Sequence, residues 1–429
     1  VVKKAASEGY EQAPGVILQG HMDMVCEKMG ELAHDFTTDP LKLQIDGDFI
    51  SANDTTLGAD DGIAVAYMLA LLDNKELAHP AIEAVFTTEE ETGMGGAKAL
   101  DTSDLRGKYF INMDSEEEAK FLVSCCGGRR VHVSLPVRRE SKQVNAQPYL
   151  LKISGLKGGH SGSDIHLQRA SANQLMGRLL YTLQKNVTFS LVCIDGGKMD
   201  NAICREAEAV VALETEAAKV AERIITEMEQ TLKEEYRRTD ADMIITWEAL
   251  REEVAEVLTE DTKQRVLSIL TLLPYGVITV SHEIDGLVES SNNIGVVRTT
   301  ADTVAFENAV RSAVASRKEW ICDKIATIAA LCGADAESSN DYPGWMYRSD
   351  SHLLVLLQEA YRDTTGREPE MTAMHAGVEC GLFAEKMPWL DMVSLGPDMY
   401  DVHTPQERLS ISSTIRTWNF LKEALRRMK

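Results

Sequence analysis

The sequence predicts an α/β protein with a mostly parallel central sheet, into which a second, α+β domain is inserted. Its 429 residues are more than one hydrophobic core usually organises. Short apolar runs alternate with a helical pattern at both ends of the chain, as in βαβ units. Between them, alternating strands and strongly charged helices indicate an α+β arrangement. We place the inserted domain at residues 128–341 and the discontinuous outer domain at 1–127 and 342–429.

Three apolar runs of the outer domain predict strands, and each is followed by polar residues that could carry chemistry. The runs are 16–18, followed by His21; 82–88, followed by Glu89, Glu90 and Glu91; and 109–113, followed by Asp114. Residues 63–72 predict a helix, entered through a glycine-flanked turn that contains Asp60 and Asp61. The carboxyl ends of parallel strands face one crevice, so we expect these side chains to converge.

The inserted domain is predicted to open with strands at 131–135 and 149–153, followed by charged helices at 216–236 and 250–273. Each half has a β-rich stretch followed by a helix, so two related halves are expected. Near Tyr342 the earlier pattern returns, and residues 392–396 predict a last buried strand of the outer domain.

Composition narrows the class of protein. The net charge of −23 disfavours nucleic acid and anionic membranes as partners and favours small substrates or cations. No apolar run of about 18 residues occurs, and residues 1–6 lack the apolar stretch of a signal peptide. We therefore expect a soluble, cytoplasmic protein. The eight cysteines form no CxxC pattern, so we expect most of them to be buried, reduced thiols.

The polar residues at the strand ends are weak signals when taken singly. The His21-Met22-Asp23 sequence places an imidazole and a carboxylate on one face of an extended segment, but such a pair is more often a surface turn. An acidic triplet such as 89–91 is usually solvated, and a lone histidine such as His403 is usually structural. Together, two histidines and three carboxylates form a ligand set for two borderline cations. The pattern leaves open whether Asp60 or Asp61 takes part.

A series of motifs running nearly the whole length of the chain resembles the metallopeptidase family of carboxypeptidase G, aminoacylase and carnosinase. Within that family, residues 159–166 and 374–381 resemble the dipeptidases that accept Xaa-His substrates. The motifs are His21-Met22-Asp23, Gly58-Ala59-Asp60-Asp61-Gly62, Glu90-Glu91-Thr92-Gly93, Asn112-Met113-Asp114-Ser115, Gly158-Gly159-His160-Ser161-Gly162 and the late His403. The family pattern also has a helix and a strand ahead of Val16 that this chain is expected to lack, so its N-terminus is expected to be incomplete.

The resemblance implies a two-zinc peptidase catalytic domain covered by the inserted domain as a lid. It implies two divalent ions, Zn²⁺ with Co²⁺ or Mn²⁺ as alternatives, with Asp60 bridging them. The implied metal ligands are His21, Asp60, Glu91, Asp114 and His403. Asp23 would orient His21, Glu90 would be the general base for a water activated by the two metals, and His160 of the lid would stabilise the oxyanion.

A dipeptidase must also bind the termini of its substrate, so a cation for the carboxylate is expected. The candidates, for which plain surface or structural roles are as good an explanation, are Asn201, Arg205, Asn293, Arg298, Arg367, His375 and Glu379. The implied activity is hydrolysis of dipeptides with broad specificity, including Xaa-His, with small peptides as substrates and a homodimer as a further expectation. The alternatives are a deacylase of N-acyl amino acids on the same fold and a non-catalytic metal-binding scaffold.

Overall fold

A computed structural model describes residues 1–429, which separate into two compact units. One comprises residues 1–125 and 344–429, and the other comprises residues 126–343. The sequence analysis placed the corresponding boundaries at 128 and 341. None of the nine α-helices combines the length and the hydropathy needed to cross a bilayer.

Both units contain strands and helices. In chain order, the strands are β1 (Val2–Lys4), β2 (Val16–His21), β3 (Leu43–Asp46), β4 (Phe49–Ala52), β5 (Ile82–Thr87), β6 (Tyr109–Asn112), β7 (Lys120–Cys125), β8 (Gly127–Pro136), β9 (Arg139–Ser141), β10 (Gln147–Ser154), β11 (Gly159–His160), β12 (Ser190–Gly196), β13 (Ala202–Ile203), β14 (Ala207–Leu213), β15 (Ile244–Ala249), β16 (Glu256–Leu258), β17 (Gly276–Val280), β18 (Val288–Thr299), β19 (Thr303–Ser312), β20 (Asp335–Tyr342), β21 (Glu370–Met374), β22 (Asp391–Ser394), β23 (Met399–Tyr400) and β24 (Arg408–Ser410). The helices are α1 (Ala59–Asp73), α2 (Gly95–Ala99), α3 (Ala172–Gln184), α4 (Thr215–Glu235), α5 (Glu260–Leu272), α6 (Ala315–Leu331), α7 (His352–Thr365), α8 (Glu379–Lys386) and α9 (Ile411–Arg427).

The first unit is built on a seven-stranded sheet in the order β1-β5-β2-β6-β22-β7-β21. β2 lies parallel to β5 and β6, and β6 lies parallel to β22. The antiparallel pairs are β1 with β5 and, through a single residue pair, β22 with β7. The prediction of a mostly parallel central sheet is therefore confirmed. A four-stranded sheet, β23-β24-β4-β3, completes the strands of this unit.

Apolar side chains lie on both faces of the central sheet, as is typical of parallel strands that are covered on both sides. Every residue of β2 is buried. One core cluster forms around Ile17, Val85 and Phe110. Between β7, α7 and α9, the rings of Phe121 and Phe420 are stacked, and Tyr361 packs edge-on against both. This packing fixes the sheet rigidly under the strand ends that carry the polar residues.

The second unit contains a nine-stranded antiparallel sheet that has two halves. Its main path runs β15-β10-β14-β12-β18-β19-β8-β20, with β17 paired to β18. Both halves run strand, helix, strand, strand, helix, strand: β10-α3-β12-β14-α4-β15 and β8-α5-β18-β19-α6-β20. The first half is inserted into the second between β8 and α5, and the halves join at β12 and β18. The sheet thus has the two-halved form expected from the sequence.

The helix predicted at 250–273 is wrong in its first ten residues, because α5 begins only at Glu260. Residues 256–258 form β16, which pairs with β9 more than a hundred residues earlier. Thr259 then caps the helix by accepting a hydrogen bond from the Thr262 amide, which is a typical N-cap role for threonine. A tertiary strand pairing therefore overrides the local helical pattern.

Candidate metal centre

The ends of three parallel strands bring polar side chains of the first unit to one edge of the sheet. His21 is the last residue of β2, Asp114 follows the end of β6 by two residues, and Glu91 follows the end of β5 by four. Because β2 is parallel to both β5 and β6, all three chains leave the sheet on the same side, as expected from the sequence. Asp60 comes from the first turn of α1, in which the Asp60–Asp61 peptide bond is cis.

The carboxylate of Asp60 lies between two histidines. Its Oδ1 is 2.9 Å from His21 Nε2, and its Oδ2 is 3.0 Å from His403 Nε2. His21 is buried, whereas the His403 side chain is 48% exposed. Asp61 points elsewhere: its Oδ2 accepts a hydrogen bond from the His21 amide. Of the two adjacent aspartates, Asp60 is therefore the one positioned to bridge.

Each histidine is completed by a second carboxylate. His21 Nε2 is 3.5 Å from Asp114 Oδ1, and His403 Nε2 is 3.1 Å from Glu91 Oε1. The result is two triplets that share Asp60, namely His21-Asp60-Asp114 and Asp60-Glu91-His403. In each triplet the potential ligand atoms lie within 4.8 Å of one another. The structure brings together all five metal ligands that the family resemblance implied.

The electrostatics of the two triplets fit a pair of divalent cations. Burial and the neighbouring carboxylates raise the pKa of Asp114 and of Asp61 well above the usual range. Burial opposes a charged His21, yet hydrogen bonds to Asp114 and Asp60 raise its pKa to about 12. Glu91 Oε1 is buried without a hydrogen bond of good geometry. Carboxylates this close together are stabilised by nearby positive charge. Imidazole nitrogens with carboxylate oxygens form a suitable donor set for divalent ions such as Zn²⁺.

Asp23 does not orient His21 in the way expected from the sequence. The carbonyl oxygen of Asp23 lies 2.9 Å from His21 Nδ1, while its carboxylate is 3.6 Å away. The two carboxylate oxygens accept hydrogen bonds from the amides of Glu90 and Glu91, each at 3.2 Å. The main chain of Asp23 thus fixes the imidazole, and its side chain fixes the segment that carries Glu91.

Glu90 lies beside the two triplets and belongs to neither. A carboxylate oxygen of Glu90 is within 4.8 Å of ligand atoms of both His21 and Glu91. Burial raises the pKa of Glu90 to about 7, with further contributions from nearby carboxylates such as Glu379. A carboxyl group with this pKa can accept and return a proton near neutral pH.

The predicted substrate ligand Glu379 is the first residue of α8 and is completely buried. Its Oε2 accepts hydrogen bonds from Thr87 Oγ1 at 2.7 Å and from the side-chain amide of Gln19. Its other oxygen has no hydrogen-bond partner. His375, also predicted, lies directly after β21 and is buried.

His160 lies in the second unit, in the two-residue strand β11, which pairs with β13. The amides of Gly162 and Ser163 point at its Nδ1 at 3.2 and 3.1 Å. Nδ1 is therefore an acceptor, which puts the proton of the neutral ring on Nε2. Burial and the positive charge of Arg311 lower the pKa of His160, which favours the neutral ring, and this ring offers an Nε2–H donor.

The other predicted substrate ligands of this unit fall into two groups. Asn293 is buried and donates hydrogen bonds to the carbonyls of Asp200 and Ala202. The Asn201 carbonyl accepts a hydrogen bond from the Ser161 amide. These contacts stabilise β13, the strand that pairs with His160. Arg205 and Arg298 instead line a cavity of about 490 Å³.

Arg367, in the first unit, is not available as a free cation. Its guanidinium donates to the buried carboxylate of Glu118 at 2.6 Å and to the Tyr361 hydroxyl at 2.9 Å. Its guanidinium is therefore already engaged, although it shares the Glu118 carboxylate with Arg416, and this engagement argues against the predicted role in binding the substrate carboxylate.

Two residues that the sequence analysis missed stand out. Arg311 in β19 is only 4% exposed, donates to the Tyr342 hydroxyl and keeps a buried Nε without a partner. A basic residue directly after the apolar pair Ala309-Val310 was the available signal. Glu407 is 2% exposed and accepts hydrogen bonds from the loop that carries Asp60. Nothing in the local sequence indicated this contact.

Comparisons with known proteins place the chain in a family. Residues 17–427 match the sequence profile of peptidase family M20/M25/M40. The chain is 34% identical over 426 residues to the cytosol non-specific dipeptidase of Escherichia coli strain K12, covering 99% of this chain and 88% of that protein.

Solved structures agree with this placement. The aminoacylhistidine dipeptidase from Vibrio alginolyticus superposes with a TM-score of 0.95 at 37% identity, covering 99% of this chain and 86% of that one. The aminopeptidase PepT from Bacillus cereus shares the fold, with a TM-score of 0.53 at 17% identity over 99% of this chain and 83% of that one. The chain belongs to peptidase family M20/M25/M40.

Proposed function

We propose that this peptidase is a cytoplasmic dipeptidase of broad specificity that cleaves Xaa-His substrates and uses two divalent ions, Zn²⁺ being the natural pair. The names of its relatives, a cytosol non-specific dipeptidase and an aminoacylhistidine dipeptidase, support the substrate class and the location. Co²⁺ and Mn²⁺ suit the same ligands and are the alternative metals.

One observation carries the two-metal part of the proposal. The two oxygens of Asp60 face different histidines, at 2.9 and 3.0 Å. A carboxylate that only formed an ion pair would need one histidine as its partner. A carboxylate with a nitrogen ligand and a further carboxylate on each side is the arrangement that a bridging ligand requires. In this proposal His21 and Asp114 would hold one ion, Glu91 and His403 would hold the other, and Asp60 would serve both.

The chemistry that bound divalent ions supply is polarisation of the peptide carbonyl and acidification of water. Glu90 takes the proton from the attacking water and later returns it to the leaving amine. Its position next to Glu91 allows both proton transfers. Asp23 keeps Glu90 and Glu91 in place through their amides. His160 donates its Nε2–H to the developing oxyanion.

Arg311 is the cation we assign to the carboxylate end of the substrate. It is buried, its charge acts on His160, and its Nε has no partner. A buried guanidinium with a free N–H is suited to a carboxylate. Arg205, Arg298 and Asn201 remain alternatives in this role. A homodimer also remains a prediction, which sedimentation of the purified protein tests.

The proposal is tested by metal analysis together with a substrate panel. Protein at neutral pH should carry two ions per chain, hydrolyse Ala-His faster than N-acetyl-alanine, and lose activity with a chelator. Glu90→Ala should lower turnover by about 10²–10⁴-fold while both ions remain bound. Preferred hydrolysis of N-acetyl-alanine would instead identify a deacylase, and two bound ions without hydrolysis of any peptide would identify a scaffold.

A further inference from the structure

A single buried carboxylate links the two loops that carry Asp60 and His403. Glu407 Oε2 accepts hydrogen bonds from the amides of Leu57 and Gly58 at 2.7 and 3.0 Å. Its Oε1 accepts from the amide of Ala59 at 2.8 Å and, more weakly, from that of Asp60 at 3.5 Å. Glu407 itself is only four residues beyond His403.

The loop that contains His403 has a conformation that needs such an anchor. Asp401 and His403 both have positive φ, 53° and 63°, a region in which a residue with a side chain is strained by about 1–2 kcal/mol. His403 is also half-exposed, so side-chain packing alone does not hold it. The amide of Glu407 closes a turn onto the Thr404 carbonyl at 3.0 Å, and β24 then begins at Arg408. The loop is therefore fixed at its far end by Glu407.

The loop before α1 also depends on Glu407 for its conformation. Gly58 has φ 70°, and a Cβ there would overlap the side chain of Met24, so the chain makes a tight turn into the helix. The amides of residues 57–60 lie ahead of the regular part of α1, because Asp60 and Asp61 have non-helical φ and ψ, so they have no partner within the helix. The Glu407 carboxylate satisfies these amides and thereby sets where the next residue, Asp60, lies.

We infer that Glu407 is a positioning residue for metal binding, which holds Asp60 and His403 at the separation that the second ion requires. The inference rests on the proposed two-metal function. Its effect should be unequal at the two sites. His21 and Asp114 are fixed by β2 and β6, so the first site depends on Glu407 only through Asp60. The Asp60-Glu91-His403 site depends on both of the loops that Glu407 joins.

The test compares Glu407→Gln with Glu83→Gln in the full-length chain. Glu83 is a matched control because it is also buried and also accepts hydrogen bonds from two backbone amides, those of Arg106 and Gly107, at 2.8 and 2.9 Å. Zn²⁺ is titrated into metal-free protein in competition with a chromogenic chelator, and circular dichroism verifies that each variant is folded.

Wild type and Glu83→Gln should bind two Zn²⁺ ions alike. Glu407→Gln should bind the first ion with nearly unchanged affinity and the second about 10- to 100-fold more weakly, the usual effect of losing a residue that orients metal ligands. Binding of both ions by folded Glu407→Gln with wild-type affinity would overturn the inference. If the wild type binds fewer than two ions, the proposed function itself fails.

Hydrogen exchange on the wild type gives a second test that needs no variant. If Glu407 fixes the loop in advance, the amides of residues 57–60 should be protected in metal-free protein. The inference is overturned if these amides exchange at the rate of an unstructured peptide until Zn²⁺ is added, because the metal would then be ordering the loop.

Discussion

Gly20 is a position beneath the candidate metal centre at which one added methyl group should destabilise the fold. It lies within β2, next to His21, and faces α1. A Cβ at Gly20 would stand closer than 3.0 Å to the Cβ of Ala64 and to Oδ2 of Asp61, whereas ordinary contacts begin at 3.4 Å. Both neighbours are buried, and each new contact would measure 2.4 Å, so a movement of about 1.0 Å (3.4 minus 2.4 Å) is needed to restore an ordinary contact.

The expected cost of Gly20→Ala has two parts. Overpacking a tight core costs about 1–3 kcal/mol. Asp61 Oδ2 is also the acceptor for the His21 amide at 3.2 Å, and loss of a buried hydrogen bond that leaves both groups unpaired costs about 1–3 kcal/mol. Since the two effects share one displacement and overlap in part, we expect a loss of about 2–4 kcal/mol in the free energy of unfolding.

Gly62→Ala is the matched control, because it makes the same chemical change in the first turn of α1. Gly62 is exposed, and a Cβ there would meet no atom within 4 Å. It should leave stability unchanged or raise it by about 0.5 kcal/mol. Urea unfolding of metal-free protein measures both variants. A Gly20→Ala protein within about 0.5 kcal/mol of wild type would refute the packing argument.

Three further predictions concern other parts of the chain. Glu118 accepts hydrogen bonds from Arg367, Arg416 and Tyr361. Glu118→Gln should lower the free energy of unfolding by about 2 kcal/mol, less than for a fully buried ion pair because both arginines are half-exposed. Burial alone would raise the pKa of Glu118, but Arg416 lowers it overall. The stability difference between the variant and wild type should therefore be largest above the unfolded pKa of about 4.3 and should shrink as the pH falls below it. Urea unfolding measured from acid to neutral pH tests this. Of the eight cysteines only Cys26 is exposed, Cys193 is half-buried and the other six are buried, so a thiol reagent should label one site rapidly, and Cys26→Ser should abolish this fast phase. Rapid labelling of more than two sites would contradict the buried placement of the six. Zn²⁺ at 100 times its dissociation constant should stabilise the protein by about 2.7 kcal/mol per site, and Asp60→Ala should remove this thermal shift because both triplets contain Asp60; a full shift in that variant would exclude Asp60 as the bridge.

The sequence predicted the central sheet well because its strands have strong local signals. The apolar runs at 16–18, 82–88 and 109–113 correspond to β2, β5 and β6, and the helix predicted at 63–72 lies within α1. The predicted helix at 250–273 failed where its first residues pair with β9. Strand pairing between distant segments leaves no trace in the periodicity of either segment.

The candidate metal ligands were accessible from sequence for a related reason. In a parallel sheet, chain direction alone puts His21, Glu91 and Asp114 at one edge, and the family motifs supplied Asp60 and His403. The substrate residues were less accessible. Arg367 is an unremarkable surface arginine in the sequence, and only the fold pairs it with Glu118.

The sequence by itself thus determined the fold class, the peptidase family and the candidate metal ligands, since these follow from local patterns and from motifs. Only the tertiary structure decided how those residues are held. It showed that the two oxygens of Asp60 face different histidines, and that Asp23 acts on His21 through its carbonyl. It also showed that Glu407 reaches amides 347 to 350 residues earlier in the chain. The physical reason is that a hydrogen bond depends on the position of individual atoms to a fraction of an ångström, which only the packed chain defines.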